Sequence, residues 1–556
     1  MPLHEYHQNQ KMGDKDHVSA LPVSESIQLH HHTSTIRSQD QYELARVGKK
    51  QVLKVCMIIR ERRVSIPNFT FLIQRNFGLV SMLGFSCTLL ATWEGQLIGG
   101  PAGLVYGYII VWLGTTSVFI VLSELASIGG QYHWCYVLAP PSYRKLLSYI
   151  TGWLTVAGWQ AGVVSAAYLT ATVLQGLVIL NHDNYVYKAW HATLIIWAIL
   201  LACVFINTVV SRYLPKIEGI ILILHILGFF AILVPMLTLA EHNTASDIFT
   251  LFLNGGDFPT QGLSFFVGLT GTVAAFLGAD GVIHMSEEVE NASVTVPRAI
   301  MLGVFINGTL GFGMLSAALF CLGNVDDVLL APYLYPFIEI FVTSTGSISG
   351  STAMASLIVL LSFCTTIGLM ASSSRMTWSF ARDRGLPGWE ALSKVDRKTS
   401  IPLVAVLTTT VIAALLSLIS IGSTTALNDL LSLSINSWYA SYLIPSMLLL
   451  KHRLRGSIHI PVEGIMAGES LSDLNWGPWR ISGLLGTLNN AFACIFMIII
   501  LFFSFWPITI HVQPSTMNFS ILVTGSVALL SICYYFLWSN RTFKGPVMET
   551  TTEEIY

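Results

Sequence analysis

Gly278-Ala279-Asp280-Gly281 interrupts an apolar run between residues 265 and 299 that is long enough to cross a membrane. A carboxylate at the centre of a bilayer costs on the order of 2.5–3.5 kcal/mol, so Asp280 is expected to line a cavity or to have a partner. Glycines on both sides of it weaken the helix at the same place. The freed backbone groups are tolerable at membrane depth only where they face protein, water or a ligand. This stretch therefore predicts a broken membrane helix with a functional site at Asp280.

The composition is typical of a helical membrane protein. Of 556 residues, 53% are hydrophobic and only 11% are charged, whereas a soluble protein has about 25% charged residues. The net charge is −2, and there is no basic, aromatic-rich stretch, so we expect no nucleic-acid partner. The 8 cysteines show no metal-binding spacing, and we predict neither a metal nor a cofactor.

From residue 77 onward the sequence contains twelve apolar stretches of about 20 residues, the length that crosses about 30 Å of hydrocarbon. Their predicted limits are 77–98, 102–128, 148–180, 190–211, 217–240, 262–286, 299–323, 347–374, 402–421, 426–450, 481–505 and 518–538. They predict one membrane domain over residues 71–540. A disordered N-terminal tail over residues 1–70 and a C-terminal tail over residues 541–556 flank it.

Lysine and arginine residues are concentrated on one side of the predicted spans. That side includes Arg60, Arg62, Arg63, Arg75, Arg144, Lys145, Arg212, Lys216, Arg375, Arg382, Arg384, Lys451, Arg453, Arg455, Arg541 and Lys544. The opposite loops hold Lys188 alone. By the positive-inside bias, both termini are expected in the cytoplasm. Asn518-Phe519-Ser520 then falls on the outer side, where Asn518 is a candidate for glycosylation.

The first five spans and the next five have matching lengths, and an odd number of helices in each half inverts the second half. Both halves begin with a glycine-interrupted span, at Gly84-Phe85-Ser86 and then Gly95 in the first, and at Gly268, Gly271, Gly278 and Gly281 in the sixth. Paired interruptions of this kind predict a binding site at the membrane midplane. The predicted fold class is an all-α membrane protein with twelve transmembrane helices, arranged as a five-plus-five inverted repeat plus two C-terminal helices.

Three motifs relate the chain to known membrane proteins. They are Ser123-Glu124-Leu125-Ala126-Ser127 with Gly129-Gly130-Gln131-Tyr132-His133-Trp134; Gly278-Ala279-Asp280 with His284-Met285-Ser286-Glu287-Glu288-Val289; and Ser372-Ser373-Ser374-Arg375-Met376-Thr377-Trp378-Ser379-Phe380-Ala381-Arg382-Asp383. In these motifs the chain resembles the amino acid–polyamine–organocation superfamily and, within it, the fungal amino acid/choline permeases.

The resemblance implies a leucine-transporter-like fold that works by alternating access, with substrate bound between the discontinuous first and sixth spans. It assigns substrate binding to Gly84, Phe85, Ser86, Phe276, Gly278, Ala279 and Asp280. Many amino acid permeases have a second glycine in span one, which is missing after Gly84 here. Three roles are open for Asp280: ligand of a substrate ammonium, proton carrier, or residue that bonds the freed amides of the broken helix. His284, one turn later, can orient its carboxylate.

Glu94, His225, His284, Ser372 and Ser373 are the candidates for coupling or gating. His225 lies in the middle of the fifth span, where an ionisable group is a functional candidate. In the superfamily a protonatable residue on span five can replace the sodium ion that bridges spans one and eight, so His225 is a proton-coupling candidate near Ser372 and Ser373. The alternative is a neutral imidazole bonded to a neighbouring helix. Glu94 either attracts a cationic substrate or is hydrated at the outer mouth.

Charged residues at the inner ends of the spans have two interpretations. Glu287, Glu288 and Glu290 either form a cytoplasmic gate with Arg75 or Arg375, or lie in a solvated loop, which we expect for Glu288 and Glu290. Glu124 is expected in a packing and turn motif. Arg375, Arg382, Asp383 and Arg384 are expected to form a cytoplasmic salt-bridge cluster.

The sequence thus predicts a secondary active transporter in the plasma membrane. It would import a small amine-bearing solute, either an amino acid or a choline-like amine, driven by protons. An enzyme is not expected, because the HExxH, GxSxG and Walker A motifs are missing. Two alternatives stay open: a nutrient sensor of the same fold that does not transport, and an exporter of an amine-containing metabolite.

Overall fold

The computed structural model describes residues 77–90, 100–127, 131–182, 184–396, 399–422, 424–458, 476–513 and 517–546. Regular structure in this part of the chain is helical, apart from an isolated parallel β-bridge between Phe77 and Val289. Glu94, Arg75 and the predicted tail over residues 1–70 lie outside the described residues.

The first half of the chain contains α1 (Leu79–Leu89), α2 (Gly100–Ala126), α3 (Gln131–Leu138), α4 (Arg144–Asn181), α5 (Ala189–Thr208), α6 (Leu214–Leu239), α7 (Ala245–Phe249), α8 (Gln261–Ala275) and α9 (Gly281–His284). Then follow α10 (Ala292–Phe320), α11 (Val325–Leu330), α12 (Pro336–Thr345), α13 (Ile348–Arg382), α14 (Trp389–Leu392), α15 (Leu403–Ser417), α16 (Ile419–Gly422), α17 (Thr424–Arg455), α18 (Gly483–Ser504), α19 (Ser520–Tyr534) and α20 (Asn540–Thr542). Short 3-10 turns cover Ser211–Tyr213 and Ser286–Glu288, and a π-helix covers Tyr535–Ser539.

Nine stretches within the described ranges are long and apolar enough to cross a membrane. They are α2, α4, α5, α6 with the 3-10 turn before it, α10, α13, α15 with α16, α18, and α19 with the helical turns that follow it. α1 and α8 are apolar but shorter, with 11 and 15 residues. A helix suits a lipid environment because it satisfies its backbone hydrogen bonds internally. The predicted all-helical fold class is confirmed.

α4 packs against both α13 and α17 and occupies the centre of the fold. It is 38 residues long, which corresponds to about 57 Å of helix. Gly158 and Gly162 of α4 make room for the indole of Trp438 on α17, since a Cβ at these positions would lie 2.8 Å and 2.9 Å from that ring. Small residues at such contacts let membrane helices approach closely. The buried Trp438 ring therefore fixes α17 against α4.

α1 packs against α6 and α10 and also contacts α13. Its centre, Gly84-Phe85-Ser86, is regular helix, and the helix continues to Leu89 before the backbone becomes extended. The predicted interruption is therefore wrong at Gly84-Phe85-Ser86, and Gly95, its other glycine, lies outside the described residues. A Cβ at Gly84 would overlap the backbone carbonyl oxygen of Glu218 on α6. A tertiary contact, rather than a helix break, requires this glycine.

Candidate functional site

The helix break predicted near Gly278 in the sixth span is present in the structure. α8 ends at Ala275, α9 begins at Gly281, and residues 276–280 between them are not helical. Gly278 has a φ of +107°, a conformation that a residue with a Cβ adopts only under strain. A Cβ there would also lie 3.2 Å from the carbonyl oxygen of Leu89. The break therefore packs directly on the end of α1.

Asp280 is fully buried at the end of this break. Its Oδ2 lies 3.9 Å from Nε2 of His284, one helical turn further on. The Trp159 indole stands edge-on to the His284 ring, with centroids 5.1 Å apart and an interplanar angle of 87°. Trp438 packs on Trp159 at 5.1 Å, and the phenol of Tyr442 faces the Asp280 carboxylate. His284 and Tyr442 thus approach the carboxylate, and the two indoles pack behind His284; we call these five residues the Asp280 cluster.

The Asp280 cluster has the chemistry of a site for a cationic nitrogen. The carboxylate supplies negative charge, and indole and phenol faces attract cations electrostatically. Nε1 of Trp159 and Nε1 of Trp438 are buried and have no acceptor among the described residues. The cluster can therefore hold an ammonium group at Asp280 and donate indole N–H groups to a ligand oxygen.

The three predicted substrate ligands on α1 contact other helices. Gly84 adjoins α6, Ser86 contacts α10, and Phe85 contacts α13. Leu89 is the α1 residue that reaches the break, because its Cδ1 lies 2.5 Å from the place of a Cβ on Gly281. An apolar residue in an apolar span gives no signal in the sequence, so the prediction missed Leu89.

The other residues predicted at the break lie close to Asp280 along the chain. Phe276 and Ala279 are fully buried, and the Phe276 ring meets Tyr108 of α2 edge-on at 5.1 Å. On α13, the Ser372 hydroxyl donates to the carbonyl oxygen of Gly281 at 3.3 Å. Helices α2 and α13 therefore support the break from two directions.

Comparison with known proteins identifies the family of the chain. The amino acid permease family model matches residues 73–527. The chain belongs to this family. It is an integral, multi-pass membrane transport protein rather than an enzyme.

Curated relatives of the permease resemble most of its length. A Macrophomina phaseolina protein assigned as an amino acid/polyamine transporter is 30% identical over 74% of this chain and 92% of its own. The choline transporter of Saccharomyces cerevisiae is 30% identical over 85% of this chain and 83% of its own. The GABA-specific permease of the same yeast is 25% identical, covering 93% and 87%. Among solved structures, a nucleobase-cation-symport-1 family transporter in a closed conformation with bromovinylhydantoin bound matches with a TM-score of 0.46 at 13% identity, covering 77% of this chain and 91% of its own.

His225 of the permease lines a cavity of about 90 Å³ between α1, α6, α10 and α13. Thr88 and Thr365 line the same cavity, and the Thr365 hydroxyl donates to the carbonyl oxygen of Thr88 at 2.7 Å. Ser372 lies about 10 Å further along α13 than Thr365, given the rise of an α-helix. The structure therefore places His225 beside Thr365 rather than beside Ser372 and Ser373.

Glu218 on α6 is a fully buried carboxylate that the predicted site residues do not include. Its Oε2 lies 3.5 Å from the hydroxyl of Thr88, and its Oε1 has no hydrogen-bond partner in the described part of the permease. An ionisable residue inside a membrane span is a functional candidate. Its position inside the predicted span 217–240 is the signal that identifies it.

Two ion pairs connect α13 with the segment after α9 at the predicted inner end. Nε of Arg375 lies 3.0 Å from Oε1 of Glu288, with both side chains buried. Arg382 pairs with Glu287 at 2.8 Å. The expected solvated position of Glu288 is wrong, because the 3-10 turn Ser286–Glu288 brings this side chain against α13. The side chain of Glu290 is exposed, as expected for a solvated loop.

A second buried charge pair holds the helices around α2. Both oxygens of Glu124 accept from the Arg453 guanidinium at 2.5 and 2.6 Å, and the Ile481 amide donates to Oε1 at 2.7 Å. Glu124 thus joins α2 to α17 and to the segment before α18. On α3, which is too short to span a membrane, the Tyr132 hydroxyl donates to Asp383 at 2.5 Å. Burial, and then the charge of Asp383, raise the pKa of Tyr132 well above its ordinary value.

Asn518 of the predicted glycosylation sequon is half-buried between α18 and α19. Its Nδ2 donates to the carbonyl oxygens of Ser504 and Trp506, each at 2.9 Å. Its Oδ1 accepts from the Ser520 amide at 3.0 Å. The amide that would carry a glycan therefore connects the chain segments on either side of the loop, and glycosylation stays a prediction.

Proposed function

We propose that this permease is a secondary active importer of a small amine-bearing solute, an amino acid or a choline-like amine, in the plasma membrane. The observation that carries the proposal is the buried Asp280 carboxylate among aromatic rings at a helix break. Substrate nitrogen binds to the Asp280 cluster, between the break and the end of α1 at Leu89. Alternating access then exposes this position first to the outside and then to the cytoplasm.

The helix arrangement supports a twelve-helix fold with an inverted repeat. α1, the α8–α9 pair and α17 add three crossings to the nine long apolar stretches. α1 and α8 open the two proposed halves, and each is too short to cross about 30 Å of hydrocarbon alone. Their non-helical ends meet through Leu89 and Gly278. Such paired broken helices are typical of midplane sites in transporters with inverted repeats.

Proton coupling and orientation are supported by the distribution of charge. His225 and Glu218 are ionisable groups on α6 that lie near α1, the helix whose end meets the break. Lysine and arginine residues concentrate on one side, which favours cytoplasmic termini. On that side Arg375–Glu288 and Arg382–Glu287 close the path from the cytoplasm. In the proposed mechanism these charge pairs seal the inner end of the pathway.

The test is accumulation of labelled solutes by permease-deficient yeast expressing the full chain. The panel contains choline, GABA, lysine and putrescine, with and without a proton uncoupler. We expect accumulation above the external concentration of at least one compound and its collapse with the uncoupler. Cells that show no accumulation of any compound, with the protein at the surface, contradict the transport proposal. Accumulation that is unchanged by the uncoupler contradicts proton coupling but not transport. Faster loss of a preloaded compound than from cells without the permease indicates export.

A further inference from the structure

Glu218 lies at a place where two membrane helices touch through their backbones. A Cβ on Gly84 of α1 would overlap the carbonyl oxygen of Glu218, so α1 and α6 leave no space for lipid or water between them here. The Glu218 side chain is fully buried. Its nearest polar contact is the hydroxyl of Thr88, one turn after Gly84 on α1. The carboxyl group thus faces the helix that carries Leu89 to the break.

The surroundings of Glu218 contain no compensating cation within the described ranges. Among the titratable groups of the described residues, the thiol of Cys364 on α13 faces it. The side chains of Arg212 and Lys216, before and on α6, and of Arg298 on α10 are exposed, and Glu339 of α12 lies toward the opposite end of α6. An ionised carboxylate buried without a partner costs several kcal/mol. The neutral acid is therefore the form that this packing accommodates.

Thr88 connects Glu218 with the cavity that His225 lines. The Thr88 hydroxyl donates to the carbonyl oxygen of Gly84 at 2.7 Å, so its lone pairs are available to a proton on Glu218. The cavity of about 90 Å³ is large enough for water, which needs roughly 10–15 Å³. Thr88 thus lies between Glu218 and the cavity, and water in that cavity would complete a polar route from His225 to Glu218.

We propose that Glu218 is the residue that carries the coupled proton, which it exchanges through Thr88 with the cavity lined by His225. This inference rests on the proposed proton-coupled import and deepens it. Loading transfers a proton from cavity water to a carboxylate oxygen of Glu218, and unloading returns it to water. Because the ionised form is incompatible with direct α1–α6 contact, unloading requires α1 to move away from Glu218. The same movement displaces Leu89, which forms one wall of the substrate position.

The experiment uses proteoliposomes of the full chain that contain a pH-sensitive dye. Choline, GABA, lysine or putrescine is added outside, and proton entry is recorded together with exchange of the same labelled compound. The variants are E218Q, which keeps shape and cannot ionise, and E218D, which can. E241Q is the matched control, because Glu241 is an exposed glutamate just after the same helix. Infrared difference spectra of wild type minus E218Q, recorded across a pH series, measure the protonated carboxyl directly.

We expect substrate-driven proton entry to fall at least about tenfold in E218Q while labelled exchange persists. E218D should retain proton entry with a displaced pH optimum, and E241Q should match the wild type. The infrared difference should contain a carboxylic-acid band that disappears at alkaline pH. A purely structural neutral glutamic acid would be replaced by glutamine without loss of coupling.

Three results separate the failure of this assignment from the failure of the proposed function. Normal proton entry in E218Q, when the wild type is proton-coupled, overturns the Glu218 assignment only. Amine transport without proton entry in the wild type overturns the proposed coupling and this assignment with it. If no compound of the panel is transported, the proposed function fails, and the absence of the infrared band still overturns the protonated Glu218 independently.

Discussion

Asp280 and Glu218 are both fully buried carboxylates of the membrane domain, yet their surroundings differ. Asp280 is the last residue of a non-helical segment; a histidine and a phenol approach it, and two indoles pack behind the histidine. Glu218 lies in continuous helix with one hydroxyl at 3.5 Å. A broken helix offers polar backbone and room for a ligand, whereas a closely packed helix pair offers neither. The proposed ligand site at Asp280 and the proposed proton site at Glu218 rest on this difference.

The largest effect is expected from D280N, which removes the charge and keeps the shape. Uptake of the compound selected by the panel should be abolished, because the ammonium loses its counter-charge in a low-dielectric site. Surface expression should be unchanged, as measured by biotinylation. D257N is the matched control, since Asp257 is exposed and has a φ of 53°, which asparagine tolerates. Full uptake by D280N would show that Asp280 is not the ligand of the substrate ammonium, and the proposed contrast with Glu218 would fail.

Glu288 is a third buried carboxylate, and it forms an ion pair with Arg375. R375Q removes that partner and should lower the free energy of unfolding by about 3–5 kcal/mol, since a buried charge is left uncompensated. Thermal unfolding of the detergent-solubilised permease measures the change. R298Q replaces an exposed arginine and should leave the melting temperature nearly unchanged. Equal melting temperatures for R375Q and R298Q would contradict a closed inner end held by this pair.

G84A tests the contact that surrounds Glu218. The added methyl group overlaps the Glu218 carbonyl oxygen, and overpacking of this kind costs about 1–3 kcal/mol. G219A on the adjoining surface of α6 is the control, because nothing lies within 4 Å of a Cβ there. Thermal unfolding should separate the two variants. If G84A is as stable as G219A, then α1 and α6 are not in direct contact, and the argument for a dry Glu218 fails.

The smallest effect is expected from T365V, which removes the hydrogen bond from α13 to the end of α1. The Thr88 carbonyl loses a donor at 2.7 Å, and such a bond contributes about 1 kcal/mol. T410V is the control, because among the described residues the Thr410 hydroxyl bonds only to Val406 of its own helix, at 2.9 Å. A melting temperature of T365V that equals that of T410V would show that the link between α13 and α1 does not contribute to stability.

The sequence predicted the sixth-span break and the burial of Asp280 because glycines and a charge in an apolar run have direct local consequences. It predicted an interruption at Gly84, but Gly84 lies in regular helix and is required by a contact with α6 that is distant in sequence. Glu218 stayed unrecognised two residues after Lys216, where charged residues are ordinary at the end of a span. The Glu288 prediction was wrong for the same reason: its partner, Arg375, lies on another helix. Features that depend on neighbouring residues in the chain could be predicted from the sequence, whereas contacts between side chains on different helices could not.

The β-bridge between Phe77 and Val289 has a mechanical consequence. Two backbone hydrogen bonds, from Phe77 to the Glu288 carbonyl and from Glu290 to the Phe77 carbonyl, join the inner ends of the two broken helices. In the proposed alternating-access mechanism these ends would move together. Opening toward the cytoplasm would then displace them relative to α13 and separate Glu288 from Arg375 and Glu287 from Arg382 in a single step.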